Sequence, residues 1–293
     1  MGFVKSQNSI FFLVLLILVE FSWSDDTTNF IYKGCANQRF QDPTGVYSQN
    51  LKTLFTALIS QSTSAKFYKT TSGQGQSAIS GLFQCRGDLS NVDCNRCVSN
   101  AHQLFDKMCG PAVAARIHLS GCYIRYEISG FKLAGATDLL YKVCGATRVR
   151  GSGFDQKLGS ALGQVEKGVG SGNGFYTGVY QNVYVLGQCE GDLMGGDCVE
   201  CVQSAEQKAK SDCGDYVSGQ IFLQQCYVTY SYRPDGVPGT LPSDTERSKG
   251  KGSGQNTQKT VAIVVGGLVG SGLFIACLLV LKSAFKKKRE VKY

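Results

Sequence analysis

Several residue types on which metal sites and catalytic centres depend are scarce in this chain. It has two histidines, one tryptophan and five prolines in 293 residues. Histidine is the commonest metal ligand and the usual general base near neutral pH, and neither His102 nor His118 recurs in the second of two internal repeats. The chain also has no Ser-His-Asp pattern. The sequence therefore argues against an enzyme and predicts no bound metal ion or other cofactor.

The chain has little net charge outside its C-terminal segment. The formal net charge is +8, but six basic residues lie in the last twelve positions. A basic excess confined to a terminal segment does not predict a nucleic-acid-binding surface on the folded part of the chain. We therefore expect no nucleic-acid partner.

Cysteine, by contrast, is abundant and periodic. Five of the 13 cysteines recur at a constant offset of 104 residues, which marks an internal duplication, and each repeat has one further cysteine upstream. The Cys-x-x-Cys pairs resemble zinc half-sites or a redox pair, but an even set in an exported chain favours a disulfide framework. Six cysteines allow fifteen connectivities. The two sets are Cys35, Cys85, Cys94, Cys97, Cys109 and Cys122, and Cys144, Cys189, Cys198, Cys201, Cys213 and Cys226.

The apolar periodicity within each repeat predicts two helices packed on a small antiparallel sheet, an α+β unit. In the first repeat, the helices are expected to begin after caps at Ser48 and at Ser90 or Asn91. The glycines from Gly168 to Gly178 are interpreted as a flexible hairpin connection, because they lack the Gly-Lys-Ser/Thr ending of a phosphate-binding loop. The short gap between the last cysteine of one repeat and the first of the next predicts that the two domains pack together. The other predicted elements are strands within Lys66–Cys85, one strand over Ala115–Ser129, helices Phe154–Lys167 and Asp197–Lys210, and a strand pair within Gln220–Tyr232.

The two ends of the chain predict export and membrane attachment. Residues 1–24 combine Lys5, an apolar run and small residues before Asp25, as in a cleaved signal peptide. Residues 261–281 lack charge and are long enough to cross a bilayer as a helix. The basic residues that follow predict a cytoplasmic tail, and hence a single-pass protein with its N-terminus outside. The expected boundaries are 1–24 for the signal peptide, 28–135 and 136–240 for the two domains, 241–260 for a stalk, 261–281 for the span and 282–293 for the tail.

Three residues in the predicted span have candidate roles. Gly266 and Gly270 have the small-x3-small spacing that lets two membrane helices approach closely. Cys277 lies near the cytoplasmic end, where palmitoylation and a simple lipid-facing position are the alternatives. The basic tail is also suited to contact with anionic membrane lipid.

The Cys-x8-Cys-x2-Cys arrangement of both repeats resembles the cysteine-rich secreted domain of plants typified by the antifungal protein ginkbilobin. The resemblance covers about residues 28–235. In that family the first cysteine pairs with the fifth, the second with the third and the fourth with the sixth. For this chain the resemblance implies Cys35–Cys109, Cys85–Cys94, Cys97–Cys122, Cys144–Cys213, Cys189–Cys198 and Cys201–Cys226.

The same resemblance implies where a sugar site would lie. Mannose-binding domains of this type use an Asn after the first cysteine, an Arg before the last and a Glu beyond it. This chain has Arg116 and Glu127 at the latter positions, but Ala36 at the first, with Asn37 one step along. The alternative is a surface Arg–Glu pair without a ligand. We therefore expect no strong mannose binding; the second repeat has Gly145, Gln220 and Ser231 at these places.

Two such domains, one membrane span and a twelve-residue tail resemble the plasmodesmata-located proteins. The resemblance implies a non-enzymatic protein that modulates cell-to-cell trafficking and callose deposition at plasmodesmata. Its implied partners are itself or related members, through the ectodomain or the membrane helix, as well as viral movement proteins. The alternatives are a plasma-membrane co-receptor, or a glycan- or peptide-binding module in plant defence, and a structural tether.

Overall fold

The computed structural model describes residues 27–149 and 153–234, in which each repeat forms five antiparallel strands and two α-helices; the first repeat also has a short 3-10 helix, Gly75–Ser77. The strand order is the same in the two sheets, and the predicted α+β class is confirmed. In the first repeat the elements are β1 (Phe30–Cys35), α1 (Val46–Gln61), β2 (Phe67–Ser72), β3 (Ile79–Cys85), α2 (Asn91–Met108), β4 (Ala114–Leu119) and β5 (Cys122–Ile128), with strand order β1-β4-β5-β3-β2. In the second they are β6 (Leu139–Cys144), α3 (Phe154–Ser171), β7 (Phe175–Tyr180), β8 (Val183–Cys189), α4 (Gly195–Cys213), β9 (Ser218–Leu223) and β10 (Cys226–Tyr232), with order β6-β9-β10-β8-β7.

Alternation along the strands places apolar side chains under the helices. On β3, Ile79 and Phe83 belong to the same buried cluster as Leu54 and Leu58 of α1. Burying one such side chain fully stabilises the fold by about 1.5–3 kcal/mol. The second repeat has an equivalent cluster between its sheet and helices. Each sheet therefore has one face occupied by its own helices and a second face available for other contacts.

The twelve cysteines form six disulfides, three in each repeat. In the first repeat, Cys85–Cys94 joins the end of β3 to the start of α2, and Cys97–Cys122 joins α2 to β5. Cys35–Cys109 joins the end of β1 to the C-terminus of α2. The second repeat has the equivalent bridges, Cys144–Cys213, Cys189–Cys198 and Cys201–Cys226. All six pairs are those that the resemblance implies.

The cap of the first helix differs from the prediction, while that of the second is confirmed. Ser48 lies inside α1, whose N-cap is Gly45. The carboxylate of Asp42 caps this helix instead, since it accepts hydrogen bonds from the backbone N–H groups of Tyr47 (3.1 Å) and Ser48 (2.8 Å). At α2, the Oγ atom of Ser90 accepts from the backbone N–H of Asp93 (3.1 Å).

The single strand predicted over Ala115–Ser129 is wrong, because the chain reverses at Ser120 and Gly121 to form β4 and β5. The backbone N–H of Ser120 donates to the Asn29 carbonyl (2.8 Å), and that of Gly121 donates to the Thr27 carbonyl (2.9 Å). A Cβ atom on Gly121 would lie 2.7 Å from Thr27 Cβ, so this turn requires glycine. The reversal therefore depends on a segment about ninety residues earlier, a contact that local periodicity does not reveal.

The interpretation of the later glycines as a flexible connection is also wrong. Gly168 and Gly170 lie within α3, which continues to Ser171. A Cβ atom on Gly168 would lie 2.0 Å from the Tyr176 ring. Gly168 therefore lets α3 pack closely against β7. The turn between them contains Gly172, the C-cap residue of α3, and Gly174, which has a φ of 71°. Both helices of this repeat are longer than predicted, and α4 runs from Gly195 to Cys213.

The membrane segment predicted at 261–281, with Gly266, Gly270 and Cys277, lies outside the described residues. Within 27–149 and 153–234, no helix combines the length and the apolarity that crossing a bilayer requires.

A buried carboxyl group makes the second repeat sensitive to pH. Glu206 on α4 is 4% exposed, and its Oε1 atom has no hydrogen-bond partner among the described residues. Burial raises the pKa of Glu206 to about 7; the charge of Lys210 opposes the shift and the charge of Glu166 adds to it. The folded state therefore favours the protonated form.

We expect the contribution of Glu206 to the free energy of unfolding to fall by up to about 3 kcal/mol as the pH rises from about 4.5 to about 7. In this window the unfolded chain releases the proton of Glu206 while the folded chain retains it. Glu206→Gln should remove this loss and stabilise the protein at higher pH. Urea unfolding at several pH values, followed by circular dichroism, measures the effect. The same loss in Glu206→Gln would contradict this assignment, and Glu200→Gln on the exposed side of α4 should leave the loss unchanged.

Candidate functional site at the seam between the repeats

The two repeats meet through the sheet faces that point away from the helices. On β4, His118 alternates with Ile117 and Leu119, which belong to the core under the helices. His118 lies 4.6 Å from Phe222, between ring centroids, and Tyr32 stacks on Tyr141 at 5.0 Å. We call this contact surface the seam. At its centre lie the aromatic residues Tyr32, His118 and Tyr123 from the first repeat and Tyr141, Phe222 and Tyr227 from the second.

The seam is reciprocal, because equivalent residues of the two repeats make equivalent contacts. Phe175 covers Gly87, where a Cβ atom would lie 2.5 Å from the ring. Phe67 covers Gly191 in the same way, and a Cβ atom on Gly191 would lie 2.4 Å from the Phe67 ring. Any side chain at either glycine would push the repeats apart. The seam therefore has an approximate twofold relation between the repeats, as the duplication would produce.

Polar contacts across the seam fix the position of the two repeats. The Gln188 side chain donates to the Cys85 carbonyl (2.9 Å) and accepts from the Gly87 N–H (3.2 Å). At the edge, Lys69 forms an ion pair with Asp192 (2.8 Å), and both side chains are partly exposed. The two domains pack together, as the short gap between the repeats predicts, and these contacts show how they do so.

The seam also contains a buried carboxylate, that of Glu190, which makes several polar contacts. Glu190 of the second repeat accepts hydrogen bonds from Arg125 Nη2 (2.9 Å) and from the Tyr123 hydroxyl (2.8 Å). Arg116 lies 3.8 Å away and supplies a second positive charge. The side chains of Glu190, Arg125 and Arg116 are 0%, 5% and 8% exposed, so that water screens these charges little.

The titration of Glu190 follows from these contacts. Burial by itself would raise the pKa of Glu190, but the hydrogen bonds and charge of Arg125, together with Arg116, hold it below its ordinary value. Burial and the nearby carboxylate raise the pKa of Tyr123 well above 10. Glu190 is therefore ionised at neutral pH and Tyr123 is a neutral donor.

This charged contact occurs only on one side of the approximate twofold relation. At the constant offset of 104, Glu190 is equivalent to Arg86, and Arg125 is equivalent to Thr229. Sequence reasoning did not identify Glu190, Arg125 or Tyr123 as site residues. The one available signal was the reversal from Cys-Arg-Gly-Asp-Leu to Cys-Glu-Gly-Asp-Leu between otherwise matched segments. In the second of these segments, Asp192 pairs with Lys69.

The three predicted sugar-site residues do not form one site. The alternative surface pair of Arg116 and Glu127 is wrong, because Arg116 is buried in the seam and donates to the Gln224 carbonyl (2.9 Å). Glu127 pairs instead with Arg125 (2.9 Å), and Asn37 is exposed beyond the end of β1. Arg116 is thus committed to the contact between the repeats.

A cavity of about 340 Å³ nevertheless lies at this edge of the first sheet. Arg116, Arg125 and Glu127 line it together with Ala36. Phe131 and Leu133, from the segment after β5, add an apolar wall. This volume lies within the usual range of small-molecule sites, although Arg125 and Glu127 are paired with each other and Arg116 donates to the Gln224 carbonyl.

We expect a glycan array to give no mannose signal above background, because the Arg116 guanidinium is not free to bind a sugar. A mannose signal that Arg116→Ala abolishes would contradict this prediction. Since Arg116→Ala also disturbs the seam, Glu127→Gln is the second variant. A sugar site would lose its signal in both.

The family model described as Salt stress response/antifungal matches residues 34–129 and 143–233. Plasmodesmata-located protein 2 of Arabidopsis thaliana is 46% identical over 99% of each chain, and plasmodesmata-located protein 1 is 49% identical over 95% of this chain and 96% of the relative. The crystal structure of the tandem DUF26 ectodomain from the Arabidopsis thaliana receptor-like protein PDLP8 superposes with a TM-score of 0.66 at 29% identity, covering 71% of this chain and 99% of that one.

The chain belongs to the plasmodesmata-located protein family. Both matched segments fall within the domain boundaries 28–135 and 136–240 expected from the cysteines. The tandem arrangement of a plasmodesmata-located protein is thus built here as two α+β units with a shared seam. Within the described part of this family member, no cluster of three or more His, Cys, Asp or Glu residues is arranged to hold a metal ion.

Proposed function

We propose that this chain is a non-enzymatic single-pass membrane protein of plasmodesmata that modulates cell-to-cell trafficking. The observation that carries the proposal is the identity of 46–49% over at least 95% of the chain with two proteins named for this location. The identity extends over both repeats and over the terminal segments where the signal peptide and the membrane span are predicted. We therefore propose that the location and the single-pass topology are shared.

The ectodomain suits binding rather than catalysis. The described histidines do not face a candidate nucleophile: His118 lies among aromatic rings, and His102 packs edge-on against Phe55 at 4.5 Å. The seam holds the two repeats in one relative position, so that a partner meets a single preorganised surface. We propose that this surface, or the membrane helix, contacts the same protein or related members, and that viral movement proteins and membrane lipid are further partners. The proposed effect on trafficking is linked to callose.

Live imaging of a C-terminal fluorescent fusion in leaf epidermis, with callose staining and a dye-diffusion assay, tests the proposal. We expect wall-spanning spots that overlap callose, and reduced dye spread on overexpression. A matched fusion without residues 28–240 keeps the predicted signal peptide, membrane span and tail. This control shows which part directs the location. A uniform plasma-membrane signal with unchanged dye spread would contradict the proposal.

A plasma-membrane co-receptor or glycan- or peptide-binding module in plant defence is the second candidate. The cavity of about 340 Å³ beside Arg125 and Glu127 favours it, because it offers both an apolar wall and charged groups. Screening peptides and glycans against the purified protein tests this candidate. Binding that Leu133→Asp abolishes would support it, and the absence of any ligand that this variant affects would contradict it.

A further inference from the structure

His118 occupies the centre of the seam. It is 4% exposed, and it stacks on Tyr32 (5.2 Å between ring centroids) and on Tyr123 (5.1 Å). The rings of Phe222 (4.6 Å) and Tyr227 (5.4 Å) from the second repeat meet it edge-on. His118 therefore touches both repeats, and its charge state affects the contact between them.

The surroundings of His118 favour the neutral imidazole. Its Nδ1 atom makes no hydrogen bond, and it has no ion pair with a carboxylate among the described residues. Burial, and then the positive charge of Arg116, lower the pKa of His118 well below 6.5. Protonation would place a second cation beside Arg116 in a site with little water.

The other titratable groups around His118 do not compensate for such a charge. The phenols of Tyr32, Tyr123 and Tyr227 are neutral, since burial raises the pKa of each above 10. Tyr141, which stacks on Tyr32, is a further phenol. Glu190 reaches the Tyr123 hydroxyl, but Arg125 and Arg116 already neutralise its charge.

We propose that acid weakens the contact between the two repeats at the seam: neutral His118 stabilises this contact, and protonated His118 destabilises it. Because the folded state disfavours the charged imidazole, the stability that neutral His118 supplies is fully present above about pH 6.5 and is lost as the pH falls below it. Glu190 contributes separately: since its pKa is below its ordinary value, its contribution is lost only below about pH 4.5. As the pH falls, the loss of the His118 contribution therefore begins at a higher pH than the loss of the Glu190 contribution.

The second repeat supplies a matched variant. At the offset of 104, the residue equivalent to His118 is Phe222, which makes the same kind of ring contacts and does not titrate. His118→Phe should keep the seam closed at every pH between about 5 and about 7. His118→Gln is a second variant, which also removes the titrating group but adds no apolar volume. His102→Gln is the control, because it removes the other histidine and keeps His118.

Hydrogen–deuterium exchange of the purified full-length protein in detergent tests the proposal at about pH 7 and about pH 5, after correction for the intrinsic rate. We expect peptides from β1, β6 and β9 to lose about tenfold in protection at the lower pH, while peptides from α1 and α3 do not. His102→Gln should behave like the wild type. His118→Phe and His118→Gln should lose no protection on acidification. Unchanged protection in the wild type, or an equal loss in both His118 variants, would overturn the proposal.

Discussion

Replacing Glu190 by alanine should lower the free energy of unfolding by about 3–5 kcal/mol, because it leaves Arg125 and Arg116 buried without their common carboxylate. The Tyr123 hydroxyl also loses its acceptor, which adds to the cost of an unsatisfied buried group. Because the net stability of a domain is only about 5–15 kcal/mol, this loss is large relative to the whole. Chemical unfolding at neutral pH, followed by circular dichroism, measures it.

Asp192→Ala is the matched control for this prediction. Asp192 lies two residues further along the same loop and also forms an ion pair across the seam, but its side chain is 32% exposed and that of Lys69 is 49% exposed. Exposed pairs of this kind contribute only about 0–1 kcal/mol. Similar effects for Glu190→Ala and Asp192→Ala would show that burial does not decide the strength of the contact.

Removing the Cys35–Cys109 bridge by a double alanine substitution should cost about 4–5 kcal/mol in the first repeat. The bridge closes a long loop, with a sequence separation of 74 residues, and it restricts the unfolded chain accordingly. It also fixes β1, which carries Tyr32 into the seam. Thermal unfolding of the oxidised double variant, compared with the wild type, measures the loss.

The Cys85–Cys94 bridge provides the comparison within the same repeat. Its sequence separation is 9 residues. Restricting the unfolded chain by closing so short a loop stabilises the folded state by only about 2.7 kcal/mol. Removal of Cys35–Cys109 should therefore destabilise the protein more than removal of Cys85–Cys94. The opposite order would show that the local strand-to-helix connection matters more than the restriction of the unfolded chain.

The sequence predicted those parts of the fold that depend on short-range patterns. Apolar spacing and the cap at Ser90 placed the helices, and strand alternation predicted the two-layer α+β units. Ser48 shows the limit of this reasoning. It is a good capping residue by type, but Asp42 lies where its carboxylate reaches the first free N–H groups of the helix.

The features that were not predicted depend on contacts between distant residues. Gly168 is conformationally permissive by itself, and only the position of the Tyr176 ring shows that it is needed inside a helix. Arg116 resembles a ligand-binding or surface residue by its place in the motif, and only the second repeat shows that it faces Glu190. A comparison of the two repeats position by position would have singled out Arg86 and Glu190, but not what lies opposite them.

The reversal of charge between Arg86 and Glu190 makes the contact between unlike repeats electrostatically more favourable than a contact between like repeats. Two first repeats that faced each other would bring Arg86 against Arg125, and two second repeats would bury Glu190 opposite Thr229, which carries no charge. Only the unlike pair neutralises the buried carboxylate. The connection of ten residues between β5 and β6 keeps the second repeat of the same chain at a high effective concentration. The charges therefore favour pairing of the two unlike repeats of one chain over pairing of like repeats from two chains.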